Sequence, residues 1–167
     1  MNRAGRHRYF AYGSNLHRPQ MAALAPAAVA MGPPARLVGW ELFVTGYGVL
    51  SIRPAGPDAA VWGLVWSCAE ADLAVLDRFE AVDDGLYERI EVHVDGPAVA
   101  YRATSEAEGR PRPGYLEASV LPPMRELGFP ETYVARVEGW LASGTAGPAW
   151  VATPVPGQVF TIGAPGS

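Results

Sequence analysis

Apolar positions along this chain follow two periods, one of two residues and one of three to four, and the changes between them mark out its elements. Tyr9, Phe10, Ala11 and Tyr12 form a short strand-like run, broken within one residue by the turn formers Gly13, Ser14 and Asn15. Pro19 opens a short helix through Gln20, Met21 and Leu24 that Pro26 stops, and the Ala/Pro-rich run 25–34 reads as a loop. Residues 36–45 return to a strand pattern, and a shorter strand over 49–53 is closed by Pro54. The strand over 60–67 is nearly continuous in apolar side chains, with Val61, Trp62, Leu64, Val65 and Trp66. That pattern implies burial on both faces or a place in a closed barrel.

From Ala69 the period becomes helical, with Glu70 and Asp72 suited to the first turn and Ala69, Leu73 and Leu76 on one stripe. The next position of that stripe is Glu80, a carboxylate where the pattern calls for an apolar side chain. If the helix reaches it, an apolar wall disfavours the anion and raises the carboxyl pKa toward the range of a proton-exchanging group. If the helix frays first, Glu80 points to water; the spacing leaves both readings open.

After the turn Asp83-Asp84-Gly85, residues 86–94 alternate, with Leu86, Ile90, Val92 and Val94 on one side and Tyr87, Arg89, Glu91 and His93 on the other. His93 reads as a surface side chain, and Asp83 and Asp84 as turn residues. Gly96-Pro97 leads into a hairpin partner over 98–104. Helices are expected over 115–127, interrupted by Pro122-Pro123, and over 131–141. About six strands and three to four helices give an α+β plan with a strongly coiled or closed sheet. The expected organisation is one domain over 1–142 and a Gly/Pro-rich tail over 143–167, packed on the domain or flexible, with Trp150, Val151, Val159, Phe160 and Ile162 as its anchors.

Composition narrows the chemistry. The 167 residues suit one domain, 49 % are apolar and 18 % charged, and the net charge is −4. All 13 basic residues are arginines, scattered singly, which argues against nucleic acid as a partner. The absence of lysine removes Schiff-base, lysine-base and P-loop chemistry. The lone Cys68 forms no intrachain disulfide and reads as structural, and no window approaches the length of a membrane span, so a cytoplasmic setting without membrane is expected. His7, His17 and His93 show no metal-ligand spacing, and no metal site is expected. The turn at Gly13, Ser14 and Asn15 offers free backbone N–H groups and a missing Cβ, a cup suited to a carboxylate. On that stretch alone an ordinary strand end with a polar turn remains open.

Four blocks in order, Tyr9-Phe-Ala-Tyr-Gly-Ser-Asn-Leu16, Val61-Trp-Gly-Leu-Val-Trp66, Leu76-Asp77 with Glu80, and Gly85-Leu86-Tyr87, resemble the gamma-glutamylcyclotransferase-like family. The likeness extends to about Leu141 through Gly128-Phe-Pro-Glu-Thr-Tyr133. It implies a small closed or strongly coiled mixed β-barrel flanked by helices. It also implies an enzyme that turns a small-molecule γ-glutamyl amide into 5-oxoproline and a free amine. The family's essential glutamate falls on Glu80 and its substrate-binding turn on Tyr12, Gly13, Ser14, Asn15 and Leu16. Further aromatic contacts fall, less securely, on Tyr87, Tyr115 and Tyr133. Because the substrate's own α-amino group is the nucleophile, the resemblance implies no cofactor; it leaves a homodimer open. The alternatives are a cyclotransferase for a biosynthetic or carrier-linked γ-glutamyl group and a non-catalytic binding module. One departure is Ala81, where many relatives have glycine.

Overall fold

The computed structural model describes residues 5–142. In chain order these form β1 (His7–Ala11), a 3-10 turn at Ser14–Leu16, α1 (Arg18–Leu24), β2 (Val29–Ala30), β3 (Ala35–Val38) and β4 (Trp40–Val44). There follow β5 (Leu50–Pro54), β6 (Ala60–Cys68), α2 (Glu70–Phe79), β7 (Tyr87–His93) and β8 (Pro97–Ala103). A π-helical turn at Leu116–Val120 then runs into α3 (Leu121–Glu126), and α4 (Glu131–Ala142) completes the set.

The nearly continuous apolar run becomes β6, the longest strand, and the main sheet is built on it. The hydrogen-bonded order is β2-β6-β1-β8-β7, with β3 pairing the other end of β6. β1 runs antiparallel to β6, with Tyr9 opposite Trp66 and Ala11 opposite Leu64, and parallel to β8. Gly63 makes the β1–β6 contact close: a Cβ there would lie 2.4 Å from the Ala11 carbonyl oxygen and 2.5 Å from the Phe10 ring. Phe10, Val61, Leu73, Leu76 and Leu116 are fully buried between this sheet and the helices.

Two expectations are corrected here. The single strand over 36–45 is two, because Gly39 takes φ +85°, and its N–H and carbonyl are tied to Ala59 and Ala55 across the corner. The chain therefore leaves β6 after β3, and β4 pairs with β5 in a separate two-stranded sheet. For the same reason the expected closed barrel is not found among the described residues. The β4–β5 pair rests against β8 through the Ala103 N–H donating to Ser51 Oγ at 2.8 Å, and no backbone ladder joins them. The fold is mixed α+β with open sheets and flanking helices. The expected interruption at Pro122-Pro123 is seen as a change of helix: the π-helical turn ends at Val120, and the prolines occupy the first turn of α3, where a missing N–H costs little. The expected tail over 143–167 and its anchors lie outside the described residues. Among the described residues no helix is long and apolar enough to cross a membrane.

Helix α2 positions one end of the pocket described next. It starts with Asp72 Oδ2 accepting the Ala69 N–H at 2.9 Å and with Glu70 and Asp72 in the first turn, both favourable to the helix dipole. It ends in a Schellman arrangement: the Ala81 N–H donates to the Arg78 carbonyl at 3.2 Å and the Val82 N–H to the Asp77 carbonyl at 3.0 Å. Glu80 is the capping residue, and Ala81, at φ +52°, takes the left-handed conformation that ends the helix.

Candidate active site

Distant parts of the chain meet at one pocket: β1 and the turn after it, the end of α2, the starts of β5 and β7, Tyr101 of β8, and Tyr115. It has about 460 Å³ of empty space, its mouth included. Of the residues singled out in sequence, Tyr12, Gly13, Ser14, Asn15, Glu80, Tyr87 and Tyr115 line it. Leu16 does not; its side chain is in the hydrophobic core, because the 3-10 turn rotates it away from the polar side of the turn. Tyr133 lies in a different groove, packs edge-on to Phe129 and accepts the Trp62 N–H at 3.2 Å.

Glu80 is only 8 % exposed, and no hydrogen bond or ion pair reaches its carboxylate among the described residues. The four-three-four spacing of Ala69, Leu73, Leu76 and Glu80 keeps this side chain on the buried face of α2, and the Glu80 N–H still donates to the Leu76 carbonyl at 2.8 Å. Burial with no compensating partner pushes its carboxyl up to about 8. Five tyrosines line the same pocket, Tyr9, Tyr12, Tyr87, Tyr101 and Tyr115. All are raised, first by burial and further by the Glu80 charge, so they stand as neutral phenols at neutral pH.

The phenols are individually anchored. Tyr12 donates to the Tyr101 carbonyl at 2.5 Å and Tyr87 to the Leu50 carbonyl at 2.6 Å. Tyr101 donates to Asp77 Oδ1 at 2.7 Å. Burial raises the Asp77 carboxyl, but Arg89, at 2.6 Å on both oxygens, and Tyr101 outweigh it and hold it below its ordinary range. Tyr115 accepts the Leu50 N–H at 3.3 Å. At Gly13 the requirement is space: φ is −125°, and an added Cβ would lie 3.3 Å from the Tyr115 hydroxyl.

Tyr9, Tyr101, Phe79, Val49 and Leu50 also line the pocket and were not singled out in sequence. Tyr9 was visible only as part of a strand, and Tyr101 enters because β8 lies beside β1. Tyr87, assigned by alternation to a polar face, is 2 % exposed because its end of β7 meets Leu50 at the start of β5, while Glu91 and His93 farther along the same face are exposed. His93, Asp83 and Asp84 are exposed and stand outside the pocket. Cys68 is fully buried, and burial pushes its thiol up to about 12, the signature of an unreactive core cysteine. Among the described residues no group of three or more His, Cys, Asp or Glu side chains is placed to hold a metal ion. A single buried carboxyl near neutrality, facing a turn with a polar lining, can take up and return one proton.

Comparison with known proteins gives a concordant result. The family profile described as Gamma-glutamyl cyclotransferase, AIG2-like, matches residues 9–118, a stretch holding every residue of the pocket. The gamma-glutamylcyclotransferase of Bos taurus is 31 % identical over 140 residues, covering 75 % of this chain and 73 % of that protein. The Mus musculus protein of the same name is 31 % identical over 145 residues, covering 78 % and 76 %. A solved structure described as gamma-glutamyl cyclotransferase superposes with a TM-score of 0.70 at 26 % identity, over 93 % of this chain and 94 % of that one. A Homo sapiens protein described as uncharacterized superposes at 0.73 and 27 % identity, over 90 % and 94 %. By sequence and by fold, the chain belongs to the gamma-glutamyl cyclotransferase, AIG2-like, family.

Proposed function

We propose that the protein is a cyclotransferase that converts a γ-glutamyl amide to 5-oxoproline and a free amine, with Glu80 as general acid and base. The observation that carries this reading is the buried Glu80 carboxyl, raised to about 8 and without a partner among the described residues, in a pocket shared with the turn Gly13-Ser14-Asn15. The Glu80 carboxylate takes a proton from the substrate α-ammonium, and the freed nitrogen attacks the γ-carbonyl carbon to close the five-membered ring. The proton held on Glu80 passes to the amide nitrogen as its C–N bond breaks, and the regenerated carboxylate takes the second proton of the ring nitrogen and hands it to the freed amine, which leaves as its ammonium. Proton transfer of this kind contributes about 10²–10⁴-fold. Tyr12, Gly13, Ser14 and Asn15 hold the curled glutamyl part, with the reacting atoms about 3–3.5 Å apart, and Tyr87 and Tyr115 wall it in.

The leaving amine points toward the side of the pocket lined by Val49 and Leu50, at the end of loop 45–49, which is tied to loop 104–114 by the Gly46 N–H donating to the Ala107 carbonyl at 2.7 Å and the Arg112 N–H to the Gly48 carbonyl at 2.8 Å. A panel of γ-glutamyl amides, including amino-acid, lysine-side-chain and carrier-linked amines, assayed for 5-oxoproline by mass spectrometry, tests the reading and finds the preferred amine. Glu80→Gln should abolish turnover with binding retained. Binding without turnover by the unaltered protein across the panel would instead identify a non-catalytic module.

A further inference from the structure

We infer that Gln20, which lies outside the pocket, is a positioning residue: through Asn15 it turns the Tyr9 hydroxyl proton into the pocket, as a donor to an oxygen of the bound substrate. Gln20 is 3 % exposed on α1. Its Nε2 donates to Ser14 Oγ at 2.8 Å and to Asn15 Oδ1 at 2.9 Å, which uses both amide hydrogens. Asn15 Oδ1 is thereby fixed as an acceptor, and Asn15 Nδ2 donates to the Tyr9 hydroxyl oxygen at 2.9 Å. The Tyr9 oxygen accepts, so its own proton must go elsewhere, and no acceptor for it is found among the described residues. Tyr12, Tyr87 and Tyr101 differ, since each commits its proton to a protein oxygen.

The direction of this chain follows from the cost of the alternative. With Nε2 facing Asn15, Gln20 Oε1 is buried and has no hydrogen-bond partner among the described residues. Reversing both amides would put the Gln20 NH₂ group in that place, burying two N–H donors without acceptors. It would also make Asn15 Oδ1 accept from Tyr9. Unpaired buried N–H groups are rarer and costlier than a carbonyl lacking a partner, so the donor end of Gln20 faces Asn15. Tyr9 lines the pocket together with Glu80, whose charge it feels. That the acceptor is a γ-glutamyl amide oxygen rests on the function proposed above.

Two variants reverse the chain without removing Tyr9. In Gln20→Glu, the ionised carboxylate accepts from Asn15 Nδ2, which turns Asn15 Oδ1 toward Tyr9 and captures its proton. In Asn15→Asp, the carboxylate accepts from Gln20 and from Tyr9 together, which serves if Gln20→Glu does not fold. Tyr9→Phe should lower kcat/KM about 10- to 100-fold in the parent protein, as expected for a hydrogen bond to an amide oxygen that gains charge in the transition state. In either reversed background, assayed above pH 8, Tyr9→Phe should cost less than about 2-fold, since the proton is already diverted. An equal loss in all backgrounds overturns the inference. A ligand-free measurement separates it from the functional reading: ¹⁵N-edited NOE spectra of the parent should connect the Asn15 side-chain NH₂ to the Tyr9 ring ε protons, and in Gln20→Glu that contact should disappear. Asn15 NH₂ contacts directed only at residue 20 in the parent would refute the chain's direction. A parent protein that turns over no γ-glutamyl amide refutes the proposed function, and the NOE pattern then decides the hydrogen-bond direction by itself.

Discussion

Replacing Glu80 by Gln should change how the protein's stability responds to pH, independently of any assay of turnover. The carboxyl ionises at about 8 in the folded protein against an ordinary 4.5, because it is buried with nothing to compensate its charge. Below pH 4.5 both folded and unfolded chains carry the proton. Between 4.5 and 8 the unfolded chain has released it and the folded chain has not, so stability falls as pH rises, by about 1.4 kcal/mol per pH unit, and levels off above 8. Over the full window this amounts to about 5 kcal/mol. Glu80 caps its helix, and rotation of that last residue toward water relieves part of the loss, so the expected change is about 2–4 kcal/mol. Urea unfolding of the parent and of Glu80→Gln at half-unit steps from pH 4.5 to 9 reads it directly, because other titrating groups cancel in the difference. The variant should gain on the parent steadily up to about pH 8. Parallel stability curves would mean that Glu80 is hydrated or paired in the folded protein, which removes the basis for its proposed role.

Three further outcomes follow from named contacts. Gly63→Ala should destabilise by about 3 kcal/mol in urea unfolding, since the new Cβ meets a backbone carbonyl and a packed ring that cannot both retreat; a loss under about 1 kcal/mol would show that the β1–β6 pair is looser than described. Ala81→Gly should stabilise by about 0.5–1 kcal/mol, because the left-handed backbone at φ +52° costs alanine more than glycine's added unfolded-state entropy; a destabilised variant would place Ala81 outside that conformation. Gly13→Val, whose side chain would crowd the Tyr115 hydroxyl, should weaken Kd for all γ-glutamyl amides alike when measured in a Glu80→Gln background, and a loss confined to one leaving amine would reverse the substrate orientation.

Local pattern alone carried much of this architecture. The apolar run at 60–67 marked the central strand, and alternation after Gly85 marked β7. The stripe Ala69, Leu73, Leu76, Glu80 named the carboxylate, because spacing along a helix fixes which side chains share a face whatever the helix packs against. Whether Glu80 is buried was not decided there; it depends on a left-handed Ala81 ending the helix one residue later and on tyrosines from other elements closing over it. The turn after β1 was equally legible, but the rotation that sends Leu16 into the core was not. Tyr101 reaches the pocket because β8 pairs parallel to β1, and Tyr87 is buried where its end of β7 meets Leu50 on β5. The split at Gly39 gave β4 and β5 a sheet of their own. Periodicity and turn chemistry are properties of a few consecutive residues and so are written in the sequence. Which face is covered, and where a hydroxyl proton points, are set by pairings between residues tens of positions apart, and only the assembled fold brings those partners together.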